Sequence, residues 1–154
     1  MITHYWGLMM NKAYVVQSQG KVAYIQPHIH GKQPFILIIQ DQWMLAMCNR
    51  LSYNSGWAID ATFKTNQFEV PLYAAVDPNK QAMCIPLWYM ICSCDEYRHE
   101  QYALEVTLKV IFERMDDVRT NELVIDKLNL ELNAITNVIK LDLKCWCYMR
   151  NFRN

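Results

Sequence analysis

Two aspartates occupy positions where apolar residues dominate. Asp60 interrupts the run WAIDATFK (57–64), and Asp126 closes the run ELVID (122–126). An ionised carboxylate in apolar surroundings is costly unless it is paired, hydrogen-bonded or bound to a metal. Two carboxylates brought close repel each other unless a cation lies between them. Hard divalent cations such as Mg²⁺ prefer oxygen ligands and usually take one or two carboxylates. Two such ions about 4 Å apart can activate an attacking water or hydroxyl and stabilise the leaving oxygen of a phosphoryl transfer. Metal-dependent phosphoryl transfer is therefore the chemistry open to this pair, with Asp60 and Asp126 as metal ligands. The same residues admit a structural reading. Asp60 could bond Thr62, Lys64 or a backbone amide, and Asp126 could cap the helix that follows it. Spacing alone does not choose between the two.

Other candidate ligands carry weaker patterns. His28 and His30 form an H-x-H that would share a face on a strand, but Pro27 and Gly31 make a loop the better reading. Six cysteines are present: Cys48, Cys84, Cys92, Cys94, Cys145 and Cys147. Their two C-x-C pairs lack the C-x2-4-C spacing and matched partners of common zinc sites. The N-terminus, MITHYWGLMMNK, has no basic n-region and no proper h-region, so no signal peptide is read. Reduced thiols are then expected rather than a disulfide framework.

The elements that must position the aspartates can be read from periodicity. Residues 1–33 are mixed, with Gly20, Pro27 and Gly31 as breakers, and are expected to form an N-terminal extension. FILII (35–39) is a short apolar run. QDQWMLAMCNRL predicts a helix with Trp43, Met44, Met47 and Leu51 on one side. In WAIDATFK, alternation puts Trp57, Ile59, Ala61 and Phe63 on one face and Asp60, Thr62 and Lys64 on the other. PLYAAV is a second strand, followed by an Asp77-Pro78-Asn79 turn. CIPLWYMIC (84–92) is a third, where Pro86 predicts a sheet edge or a bulge. The period then changes. EQYALEVTLKVIFERM places Leu104, Leu108, Ile111 and Met115 at helical spacing, with Glu105 and Lys109 as an i,i+4 pair. ELVID is a fourth strand. NLELNAITNVIK is a second amphipathic helix, with Leu128, Leu132, Ile135 and Ile139 on one face.

The order β-β-β-α-β-α describes an antiparallel meander, a crossover helix and a returning strand. It predicts an α/β fold of three layers. The crossover lets ELVID lie parallel to and beside WAIDATFK, which brings Asp60 and Asp126 together. Placing the Pro86 strand at an edge gives a mixed sheet of order 3-2-1-4. Together these features predict a ribonuclease H-like fold.

Several of these segments also carry a family pattern. AIDATFKTNQFEVPLYAAVDPN, CIPLWYMICS, ALEVTLKVIFERM and LVIDKLNLELNAITNVI together resemble the MULE transposase domain of Mutator-like elements. The matching positions are Asp60, Thr62, Thr65, Asn66, Pro71, Leu72, Asp126, Ala134 and Ile135, over about residues 35–146. The resemblance implies a DDE-type nuclease and strand transferase acting on DNA ends with Mg²⁺ or Mn²⁺, located in the nucleus. Asp60 and Asp126 then correspond to the first two catalytic, metal-binding acids. The family's third acid is a glutamate well downstream of a strand with a Cys/His motif. KCWCYMRNFRN carries no convincing motif of that kind, and Glu131 is too close to Asp126 to serve. The chain is accordingly expected to be a fragment with impaired catalysis. It would hold a partial domain over 34–146, a C-terminal tail over 147–154 and no fifth strand.

The bulk numbers set outer limits. The 154 residues suit one domain, and 53% hydrophobic content supports a real core. Fifteen basic and fifteen acidic residues cancel, so any DNA contact needs a local patch. No apolar run approaches the roughly 20 residues of a membrane span. DNA is the expected partner, with no membrane and no small-molecule substrate, and self-association is left open. The alternative is a transposase-derived DNA-binding or regulatory protein without catalysis. Its contacts would come from the aromatic and basic tail residues Lys144, Trp146, Tyr148, Arg150, Phe152 and Arg153. A solvated, frayed terminus explains that tail more simply.

Overall fold

A computed structural model of the chain describes residues 2–51, 57–62, 70–78, 84–93, 97–116, 123–125, 129–141 and 149–151. Eleven elements follow along these residues: α1 Ile2–Ser18, β1 Val22–Gln26, β2 Ile36–Ile39, α2 Gln42–Leu51, β3 Trp57–Thr62, β4 Leu72–Pro78, β5 Cys84–Cys92, α3 Tyr97–Arg114, β6 Leu123–Ile125, α4 Asn129–Leu141 and β7 Met149–Asn151.

All seven strands join one sheet of order β1-β2-β5-β4-β3-β6-β7. The first five in that order pair antiparallel, while β6 pairs parallel with both β3 and β7. The expected order 3-2-1-4 covers only the run β5-β4-β3-β6. The full order differs because β1 and β2 add beyond β5, and β7 adds beyond β6. The expected absence of a fifth strand after β6 is likewise overturned by β7, which aligns Leu123 with Met149 and Ile125 with Asn151.

Pro86 marks a sheet edge or a bulge, and the structure takes the second course, because β5 lies between β2 and β4. Two local features make an interior proline tolerable. β2 is short and pairs only with Tyr89–Cys92, so Pro86 lies beyond the reach of that ladder. On the other side the β4–β5 register shifts between Ala75 and Val76, which skips from Trp88 to Pro86. That irregularity is the bulge that a proline without an N–H requires. The carbonyl of the skipped residue, Leu87, accepts a hydrogen bond from Gln40 Nε2 at 3.2 Å and a weaker one from Cys48 Sγ at 3.7 Å.

The sheet alternates as its period demands. Ile36, Ile38, Trp57, Ile59, Tyr73, Ala75, Trp88 and Met90 point to the main core. They meet Cys48 of α2, then Leu104, Leu108, Ile111 and Phe112 of α3, and Leu130, Ala134, Ile135 and Val138 of α4. Trp57 packs on Phe112 with ring centroids 5.8 Å apart. The opposite face is covered by α1, where Ala13, Met9 and Met10 pack on Phe35, Leu37, Ile25 and Ile91. Helices thus lie on both faces, and among the described residues α1 packs at the β1–β2–β5 end of its face.

The α3 stripe Leu104, Leu108, Ile111 and Met115 is buried as expected. Other expectations shift. Residues 1–33 hold a full helix and a strand; α1 has no acidic residue in its first turn, no basic residue in its last, and apolar Leu8, Tyr14 and Val15 left exposed. Its end carries a plain stop signal. Gly20 sits at φ 70°, with Gly20 N donating to Gln17 O at 2.9 Å and Lys21 N to Val16 O at 3.4 Å. This is the left-handed glycine cap of a helix C-terminus.

In α2, Met47 and Leu51 of the expected face pack on the core, while Trp43 is 53% exposed and Cys48 is the fully buried residue. Asp41 fixes the start of that helix by accepting from Met44 N at 2.8 Å, which is an N-cap geometry. Asp77 and Pro78 belong to β4 rather than to a turn. In α4 the buried residues are Leu130, Glu131, Ala134, Ile135 and Val138. Ile135 is common to the observed and expected faces, while Leu128 and the side chains of Leu132 and Ile139 lie outside the described residues.

Candidate functional site

Asp60 lies on β3 between Ile59 and Ala61, and its side chain is exposed. Its exposure resolves the cost that the apolar strand implied. β3 is buried on one face only, and Asp60 and Thr62 belong to the other. The carboxylate keeps its water, and no burial penalty has to be met by a structural partner. Across the sheet Asp60 aligns with Ala74 of β4, and Ala74 aligns with Tyr89 of β5.

The parallel pairing of β3 with β6 matches Trp57 with Leu123, Ala58 with Val124, and Ile59 with Ile125. Asp60 and Asp126 are the next residues in sequence after the last matched pair. Asp126 itself lies outside the described residues, as do Lys64, Thr65 and Asn66. The helix crossover through α3 is what permits this parallel neighbour.

Among the described residues, Glu131 and Glu100 do not join Asp60. Glu131 is 1% exposed and lies on the core side. Its charge acts on Tyr73, which shares the face of Ile59 and Ala75 rather than that of Asp60. Glu100 of α3 accepts the hydrogen bond of the Tyr73 hydroxyl on the same core side. Burial, reinforced by Glu100, holds the Tyr73 phenol far above its ordinary range. Among the described residues, no group of three or more His, Cys, Asp or Glu could hold a metal ion. A cation would therefore need Asp60 together with groups outside them, and an exposed carboxylate oxygen is a suitable donor for Mg²⁺ or Mn²⁺.

His28 and His30 stand in a loop closed by the Ile29–Gln33 bridge, their rings 6.4 Å apart and tilted by 59°. Cys48, Cys84 and Cys92 form no disulfide among the described residues. Cys94, Cys145 and Cys147 lie outside the described residues, as do Lys144, Trp146, Tyr148, Phe152 and Arg153 of the basic tail. Arg150 is part of β7, opposite Val124.

Sequence reasoning missed the buried polar frame behind this sheet. Gln40 is fully buried; its Nε2 donates to Leu87 O and Cys48 Sγ, and its Oε1 accepts from Arg114 Nε at 2.9 Å. Asn49 and Asp116 exchange two further hydrogen bonds between the ends of α2 and α3. A glutamine closing an apolar run such as FILIIQ was the available signal for the first of these.

A family model described as the MULE transposase domain matches residues 56–154. No curated protein and no solved structure matches the chain.

Proposed function

The chain belongs to the MULE transposase domain family, and from that premise we propose that it supplies part of the metal-dependent DNA cleavage and strand-transfer site of a DDE-type transposase built on a ribonuclease H-like sheet. The carrying observation is the parallel register of β3 and β6, whose last matched pair, Ile59 and Ile125, directly precedes Asp60 and Asp126 in sequence. The α-helical crossover, the mixed sheet and the exposed carboxylate face support the same reading.

In this reading Asp60 and Asp126 hold Mg²⁺ or Mn²⁺ between two adjacent strand ends. The bound cation would lower the pKa of a coordinated water or hydroxyl and neutralise charge developing on the phosphate. Asp60 contributes an oxygen ligand from a rigid strand whose opposite face is anchored by Trp57 and Ile59 in the core. That anchoring limits how far the carboxylate can drift when a cation binds. DNA is the proposed substrate class, and the nucleus is the proposed site of action.

Mn²⁺ binding tests the assignment without requiring turnover. Titration of the chain followed by electron paramagnetic resonance of free Mn²⁺ should show a site that weakens at least tenfold in both Asp60→Asn and Asp126→Asn. Unchanged Mn²⁺ binding in the two folded variants would sink the metal assignment. DNA binding that survives both variants and needs no cation would instead favour the DNA-binding reading without catalysis.

A further inference from the structure

The row that contains Asp60 continues across the sheet to an aromatic residue. Asp60 aligns with Ala74, and Ala74 aligns with Tyr89. All three alternate away from Ile59, Tyr73, Ala75, Trp88 and Met90, which form the main core. They therefore share the opposite face, where Asp60 is exposed and Ala74 and Tyr89 are half-buried.

Two features shape that face. Alanines supply its floor, because Ala58 neighbours Asp60 along β3 and Ala74 stands between Asp60 and Tyr89. One wall is built where α1 packs on the sheet, since Ile91, two residues from Tyr89 on the same face, belongs to the cluster under Met9, Met10 and Ala13. Strand spacing sets the distance from the Asp60 backbone to the Tyr89 backbone at about 10 Å, two inter-strand steps. That span accommodates one nucleic-acid strand, with its phosphate at one side and its base at the other.

We propose that Tyr89 is the stacking platform for a base of the DNA strand whose phosphate is presented to Asp60. The inference rests on the proposed metal-dependent reading of Asp60. The occupant is a single DNA strand and not an apolar peptide. The floor ends at a carboxylate suited to a cation-bridged phosphate, while the other end offers an aromatic ring that accepts any base face. Base–aromatic stacking is worth about 1–3 kcal/mol per base, and it tolerates sequence. Ala74 is the small residue between the two, and a larger one there would stand between Asp60 and Tyr89.

The test is anisotropy of a fluorescein-labelled single-stranded oligonucleotide titrated with the full chain in Mn²⁺. Mn²⁺ affinity is measured in parallel on the same variants and on Asp60→Asn, and circular dichroism checks that each is folded. Tyr89→Ala should weaken oligonucleotide binding about tenfold, the change expected for loss of one stacked base. Tyr89→Phe should retain binding, and Ala74→Leu should weaken it while leaving Mn²⁺ affinity unchanged. Unaltered binding in a folded Tyr89→Ala, with Mn²⁺ affinity still dependent on Asp60, overturns the stacking role but not the metal site. Loss of Mn²⁺ binding nowhere, with binding still dependent on Tyr89, overturns the metal reading alone. A wild-type chain that binds no oligonucleotide overturns the stacking role outright.

Discussion

At the scale of residues, the informative contrast is between Asp60 and the buried polar groups. Asp60 is legible because a carboxylate in WAIDATFK violates the local apolar pattern while respecting its alternation. Cys48 gives no such signal, since a cysteine in a helix reads as an ordinary small apolar residue. Its burial pushes the thiol up to about 12 from 9.0, a rise that the hydrogen bond from Gln40 only partly opposes. A group whose folded pKa is raised favours its protonated form in the fold. The corresponding stability is fully present below pH 9.0 and is lost as pH climbs towards about 12. Denaturant melts of wild type and Cys48→Ala should therefore converge as pH rises through that window. A constant difference between them across the window would contradict the assignment. Tyr73 adds a loss of the same sign above its ordinary value of 10.0, and the difference between the two chains cancels it.

At the scale of elements, β5 shows how sheet context selects between two outcomes of one residue rule. Proline called for an edge or a bulge, and the protein keeps β5 interior by pairing β2 only beyond Pro86 and by bulging against β4. The bulge frees the Leu87 carbonyl, and Gln40 supplies the donor that it needs. Replacing Gln40 by Ala removes that donor and the acceptor of Arg114 together. Leaving buried polar groups unmet costs about 1–3 kcal/mol each. Gln40→Ala should accordingly lose about 2 kcal/mol in urea unfolding, and a loss too small to resolve would show that solvent or a shifted side chain satisfies the bulge. Helix phase was legible only in part. In α2 the expected Met47 and Leu51 pack on the core, while Trp43 is exposed and Cys48 is buried. Apolar residues lie on more than one side of that helix, so periodicity defined it without fixing the whole stripe.

At the scale of the whole molecule, the sheet is a central antiparallel body with short strands at both ends. β4 and β5 have neighbours on both sides and carry Tyr73, Ala75, Trp88 and Met90 into the main core. β1 and β7 are the two edges, and β7 has only three residues. Local opening follows exposure of backbone hydrogen bonds and the amount of apolar surface holding each strand. Amide hydrogen exchange should be slowest in Tyr73–Ala75 and Leu87–Met90 and fastest in Val22 and Met149–Asn151. Protection of β7 equal to that of β5 would contradict this ordering. A three-residue edge also presents few unpaired backbone groups, which limits edge-to-edge association.

The sequence by itself determined the local periods: the alternating face of β3, the apolar strand β5, the α3 stripe, and the parallel return of β6 beside β3. These follow from which side chains seek burial along each segment. Its combined motif also identified the family. Only the tertiary structure decided that residues 1–33 contribute α1 and β1, that β2 joins β5, and that β7 extends the sheet past β6. It also decided that Asp60 faces water while Glu131 and Glu100 lie across the sheet from it. Those outcomes depend on pairing between strands far apart in the chain and on which sheet face each helix covers. No run of neighbouring residues contains either quantity.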